Sequence, residues 1–201
     1  MEEKEKISKQ TFIIIGIISV IILAIIIVAV VVSVNTKPKV IKETKEGADI
    51  TLNYGGDVSG LTLTDMKATK DEDGIKLSAA DKTFNFTVNT ELIEAKQADY
   101  EIFVTKDEEN CTVSDEYLKL YLEKESDGTF NKVIDPLEYD ALTKKDNMGV
   151  KKGSMVLYKD SVNSSKAINY RLKMWISDKY KAKAGAKDSC TITVGIVGKA
   201  K

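Results

Sequence analysis

Residues 168–177 read INYRLKMWIS and alternate with a period of two. Ile168, Tyr170, Leu172, Met174 and Ile176 fall on one face of a strand, and Asn169, Arg171, Lys173 and Trp175 on the other. An apolar face backed by a charged one is the pattern of an antiparallel sheet buried on one side. The chain's only tryptophan breaks the pattern by standing on the charged face. Two readings follow for Trp175. Beside Arg171 and Lys173 it makes a candidate contact surface, an exposed aromatic next to cations of the kind found at interface centres. Alternatively it is structural, covering the end of a sandwich or turned inward by a bulge, the commoner fate of such a side chain.

The same period recurs along residues 48–201. Ile50, Leu52 and Tyr54 alternate up to a Gly55-Gly56 turn, Leu61 and Leu63 follow, and Ile75 and Leu77 come after KDEDG at residues 70–74. Phe84, Phe86 and Val88 share a face, as do Tyr100, Ile102 and Val104, and Leu118, Leu120 and Leu122. SMVLY at residues 154–158 comes next, and Cys190, Ile192, Val194 and Ile196 close the series. The predicted fold is therefore all-β, an antiparallel β-sandwich or jelly roll of about eight or nine strands. DPLEYDAL at residues 135–142 puts a proline after a helix-starting aspartate, which predicts one short helical turn, the only helix expected in this part of the chain. Asp71, Glu72, Asp73 and Gly74 form a fragment of a calcium loop without its distant acidic ligand, so a turn is expected there and no metal or cofactor.

Several of these strings together resemble the TasA/camelysin-like surface proteins of low-GC Gram-positive bacteria. They are FTVNT at residues 86–90, YLKLYLEKESDGTF at 117–130, INYRLKMWISDKY at 168–180 and CTITVGIV at 190–197. The resemblance spans most of residues 50–197 and implies a β-sandwich carried to the cell surface, in some family members a builder of biofilm matrix. The chain departs from that pattern by carrying a long apolar segment in place of a cleaved leader.

That segment, residues 12–34, contains no charge and would span about 34 Å as a helix at about 1.5 Å per residue. It is longer than the apolar stretch of about 7–15 residues in a signal peptide, and VVVSVNTKP offers no convincing cleavage site, so an uncleaved transmembrane anchor in membrane lipid is expected. Lysines flank it on both sides, and charge alone does not orient it. A short amino-terminal tail and a long following domain favour residues 1–11 as a cytoplasmic tail, residues 35–47 as a polar juxtamembrane stalk, and residues 48–201 as an extracytoplasmic domain of a single-pass cell-membrane protein. Cys111 and Cys190 both lie beyond the anchor and form a candidate disulfide suited to an oxidising exterior, with two unpaired buried thiols as the alternative.

Charge and chemistry exclude more than they name. Lys+Arg 30 against Asp+Glu 31 leaves no basic field for nucleic acid, and Arg171 is the only arginine available for bidentate recognition of bases or phosphates. With no histidine, the commonest general base and metal ligand are missing. A Ser-Lys dyad or carboxylate pair stays formally open, but abundant lysines and acids create such pairs by chance, and no enzyme is predicted. The expected function is a membrane-anchored structural or adhesive surface protein that meets a protein partner, or itself, through sheet edges. The alternative is an extracytoplasmic enzyme or ligand-binding domain with a His-free Lys/carboxylate site.

Overall fold

The computed structural model describes residues 48–54, 59–79, 82–93, 95–144, 150, 152–183, 185 and 187–201. The expected tail, anchor and stalk, residues 1–47, and the Gly55-Gly56 turn lie outside the described residues. Among the described residues, no helix is long and apolar enough to cross a membrane.

The elements in chain order are β1 (Ala48–Tyr54), β2 (Gly60–Met66), β3 (Ala68–Thr69), α1 (Asp71–Gly74), β4 (Thr83–Leu92), β5 (Ala98–Lys106), the 3-10 turn η1 (Asp115–Tyr117), β6 (Leu118–Ser126), β7 (Thr129–Lys132), β8 (Leu137–Glu138), the 3-10 turn η2 (Tyr139–Ala141), β9 (Thr143–Lys144), β10 (Ser154–Val162), β11 (Lys166–Ser177) and β12 (Asp188–Ala200). They form two sheets. One runs β1-β4-β11-β6-β7, with β3 beside β11 and β8 beside β6; the other runs β2-β12-β5-β10-β9. Apart from the short parallel pairing of β3 with β11, the ladders are antiparallel.

The apolar face of β11 explains why the first sheet is built around it. Leu172 stands opposite Phe84 on β4 and Leu122 on β6, and Met174 opposite Leu120, so each row of the pleat is apolar across neighbouring strands. In the other sheet Val194 faces Val104 and Ile196 faces Ile102. These rows belong to a single buried cluster shared by both sheets. Burying one Leu or Ile fully contributes about 1.5–3 kcal/mol, so the stacked rows are the main drive for closing the two layers. The layers are also joined directly, because the Tyr54 hydroxyl of β1 donates to the Val194 carbonyl of β12 at 2.7 Å.

Strand β10 departs from simple alternation. A bulge between Val156 and Tyr158 shifts its register against β5, so that Met155 faces Val104 before it while Tyr158, Asp160 and Val162 face Ile102, Tyr100 and Ala98 after it. The extra residue switches which side chains point at the core. Asp160 is the one that matters: strict alternation from Met155 would have turned it to solvent.

Three local expectations are corrected. Ile75 and Leu77 do not form a strand; the segment instead makes the single helical turn α1, closed by Gly74 N–H to Lys70 O at 2.9 Å. KDEDG is thus a helical turn, not a hairpin. DPLEYDAL does carry its short helical turn, at Tyr139–Ala141, after Leu137 and Glu138 are drawn into a ladder with Leu120 and Lys119, but it is not the only one, since α1 and η1 also form.

Candidate functional site

Trp175 settles under cover. The register of β11 with β6 runs unbroken through Trp175, which faces Lys119, so no bulge turns the indole inward. It stays on the outer face of its sheet, and α1 lies over it from outside. Gly74 permits the approach: a Cβ there would overlap the indole ring. The indole Nε1–H donates to Asp71 Oδ1 at 3.2 Å, and Trp175 retains only 3% of its surface. Asp71 also receives Lys119 Nζ at 3.4 Å, while Lys119 pairs with Glu138 at 2.9 Å. Burial pulls the Lys119 ammonium toward deprotonation, but its hydrogen bond to Glu138 and the two nearby carboxylates outweigh this and hold its pKa above the ordinary lysine value.

Lys173 is buried in the same layer. Its Nζ donates to the Ile75 carbonyl at 2.6 Å and to Glu123 Oε1 at 3.2 Å, beside the Tyr121 ring. Arg171 stays half-buried, its guanidinium 3.8 Å from the centroid of Phe130 and its Nε donating to Asn85 Oδ1 at 3.2 Å. The candidate contact surface of Trp175, Arg171 and Lys173 is therefore corrected: two of its three members lie beneath residues 70–77. The reason is tertiary, because a charged face can be covered when every charge finds a partner in the cover.

A second assembly sits between the sheets. The hydroxyls of Tyr100 and Tyr170 lie 2.6 Å apart and each lies 3.0 Å from Asp160 Oδ2, so their two protons are shared among three contacts, and Lys124 Nζ reaches the same oxygen at 2.6 Å. One carboxylate thus gathers groups from β5, β6 and β11. Burial drives both tyrosines strongly away from ionisation. Burial also pushes Asp160 up, but the Lys124 hydrogen bond, the Ser161 N–H and the Tyr100 hydroxyl outweigh it and leave its pKa below the usual carboxylate range.

Cys111, in the loop after β5, is disulfide-bonded to Cys190 in β12. The loop is stitched along the same line by Thr112 N–H to Ser189 O at 2.9 Å and by Thr112 Oγ1 to Asp188 Oδ1 at 3.0 Å. Asp188 also accepts from the Tyr180 hydroxyl at 3.0 Å. Nearby, buried Lys106 pairs with Asp115 and with Glu108, and its own N–H donates to the Tyr139 hydroxyl at 3.0 Å. Burial pushes Tyr139 up to about 12.

These carboxylates meet ammonium groups, as at Lys106, Lys119 and Lys124, or hydroxyls, as at Asp160 and Asp188. Among the described residues, no group of three or more Cys, Asp or Glu is placed to hold a metal ion. A cavity of about 470 Å³ lies elsewhere, between β2, β3 and the last residues of β11. Of its lining, Trp175 alone was a candidate site residue, while Leu63, Leu77, Met174 and Ile176 entered only as strand-face positions, since a cavity arises from which strands end where.

No protein-family model, curated protein or solved structure matches the chain.

Proposed function

We propose that the protein is a membrane-anchored, single-pass surface protein whose β-sandwich, residues 48–201, stands outside the cell and works by contact with other proteins or with further copies of itself. The observation that carries the reading is the disulfide between Cys111 and Cys190, a bond favoured in oxidising compartments. The charge-free run of residues 12–34 supports the anchor. The contact reading draws on the sheet edges. Among the described residues, nothing pairs with the outer side of β1 or β2, and β9 covers only Met155 and Val156 of β10. Unpaired edges of this kind accept strands. The internal consumption of the buried charges supports a structural rather than a catalytic role. The TasA/camelysin-like resemblance and the finer assignment as a jelly roll belong to this proposal and rest on the strand strings alone. Of the alternative, an extracytoplasmic enzyme or ligand-binding domain, the cavity favours the binding half.

Protease treatment of intact cells, followed by fractionation, tests the placement. Digestion of the β domain without permeabilisation is expected; survival until the membrane is opened overturns it. A photo-crosslinking residue at exposed Asn53 on β1 tests the contact. A discrete cross-linked species is expected on cells, and monomer alone sinks the reading.

A further inference from the structure

The cover over Trp175 and Lys173 leaves part of the outer face of the first sheet open. Among the described residues, its contacts end at the row where Thr83 stands opposite Lys173. There Lys173 Nζ meets the Ile75 carbonyl at 2.6 Å, and the Thr83 hydroxyl donates to the Ala79 carbonyl at 3.2 Å. One row on, exposed Asn85 stands opposite Arg171. In the next row Asn53, Thr87 and Asn169 lie side by side on β1, β4 and β11, and in the third Asn89 lies between Thr51 and Ala167. The result is a flat shelf three strands wide, with residues 75–79 as a wall along one end. Ile75, one of the two large apolar side chains exposed among the described residues, belongs to that wall.

The chemistry of the shelf differs from that of the chain as a whole. Charged residues make up 30% of the sequence, and every cation but Arg171 is a lysine. The outward positions of these three rows carry four amides, two hydroxyls, one methyl and that single arginine. The arginine is already engaged: its guanidinium lies 3.8 Å from the Phe130 centroid and 3.9 Å from Glu123, and its Nε–H goes to Asn85 Oδ1 at 3.2 Å. Glu125, at the far border, accepts from the Asn169 amide at 2.6 Å. What remains for a ligand is therefore neutral. The same bonds orient the amides: Asn85, with its oxygen held by Arg171, turns its NH2 elsewhere, and the Thr87 hydroxyl fixes Asn169 Oδ1 at 2.7 Å. Asn53 and Asn89 make no side-chain hydrogen bond among the described residues. Each such amide offers N–H donors and a C=O acceptor together, without charge.

We propose that this shelf binds an uncharged glycan carrying acetamido groups. Its amides pair with the side chains of Asn53, Asn85 and Asn89, and its hydroxyls meet Thr51 and Thr87. An acetamido group presents one N–H and one C=O, the complement of an asparagine amide. An extended polymer suits a flat sheet face, a surface that holds oligosaccharides in other architectures. A polymer bearing phosphates or carboxylates would meet no unengaged cation on these rows. The shelf is distinct from the sheet edges of the contact reading, and its test needs neither a placement outside the cell nor assembly.

The experiment titrates full-length protein in lipid nanodiscs with the hexamer of N-acetylglucosamine, reads binding by saturation-transfer NMR and takes empty nanodiscs as the blank. It is repeated with the de-acetylated hexamer, whose backbone is the same and whose amines are cationic. Saturable binding of the acetylated hexamer is expected, with the cationic one at least about tenfold weaker. Asn85→Ala combined with Asn169→Ala removes two exposed amides and is expected to weaken binding at least about fivefold. Asn53→Asp combined with Asn89→Asp keeps the side-chain shapes and is expected to move the preference toward the cationic hexamer. Thr62→Ala, exposed on the other sheet, should bind as the parent does. Urea unfolding checks that each variant is folded. Binding that never saturates, equal or tighter binding of the cationic hexamer by the parent, a folded double-alanine variant that binds as before, or an equal loss in Thr62→Ala overturns the proposal.

Discussion

Gly74 shows how one missing side chain decides the environment of another. Its Cα lies so close to the Trp175 indole that any Cβ would overlap the ring, and the ring is held by the Asp71 hydrogen bond. Gly74→Ala is expected to lose about 1–3 kcal/mol by forcing α1 off the indole, with Trp175 emission shifting to the red as water enters; denaturant titration followed by fluorescence measures both. Asp160 sets a different test. Its pKa in the folded chain lies below that of the unfolded chain, so its contribution is complete at neutral pH. That contribution disappears as the pH drops from the ordinary carboxylate range through the lowered value. Asp160→Asn is expected to cost about 2 kcal/mol at pH 7 and to make stability less steeply dependent on pH at the acid end. An unchanged acid limb in the variant would show that Asp160 is not the group responsible.

At the scale of strands, periodicity was a good guide wherever one face was buried over seven residues or more. The inward positions of β1, β2, β4, β5, β6, β11 and β12 are those that alternation marks, from Leu52 and Phe86 to Leu122, Leu172 and Ile192. A pattern only two residues deep held for Leu61 and Leu63 and failed for Ile75 and Leu77. Ile75 and Leu77 satisfy a period of two by accident, and β3, β8 and β9 are too short to carry any period. The candidate contact surface was illegible for another reason: a single strand cannot say what a distant segment lays over its outer face. The bulge in β10 is equally silent in the string SMVLYKDSV, yet it delivers Asp160 to Tyr100 and Tyr170. Deleting Leu157, the extra residue, closes the bulge and leaves Tyr158, Asp160 and Val162 opposite Ile102, Tyr100 and Ala98, so the expected cost is that of one buried leucine, about 2–5 kcal/mol, with the Asp160 contacts kept. Equilibrium unfolding in urea checks this, and a deletion variant that also loses the acid limb assigned to Asp160 would mean the register had slipped.

Across the whole molecule, the two layers are joined by the apolar cluster and by the Tyr54 and Asp160 hydrogen bonds, and one covalent link ties the loop after β5 to β12. Cys111 and Cys190 are 79 residues apart in sequence, and closing a loop of that length stabilises by about 4 kcal/mol in the chain-entropy account. Reduction is therefore expected to lower the urea midpoint clearly while the folded spectrum persists at low denaturant. Alkaline titration should reveal a second feature. Burial pushes Tyr54 up to about 12. Its stabilising share is thus intact below the ordinary tyrosine range near pH 10 and is lost as the pH climbs through the raised value. Absorbance of tyrosinate should rise late and together with unfolding.

The covalent link also governs how the chain answers a pull. Tension applied from the carboxy-terminal side can peel away only the part of β12 beyond Cys190 before the load passes to Cys111. The chain between the two, a separation of 79 residues, then stays reeled in, and about 270 Å of slack, at about 3.4 Å per residue, is withheld from extension until a reductant releases it.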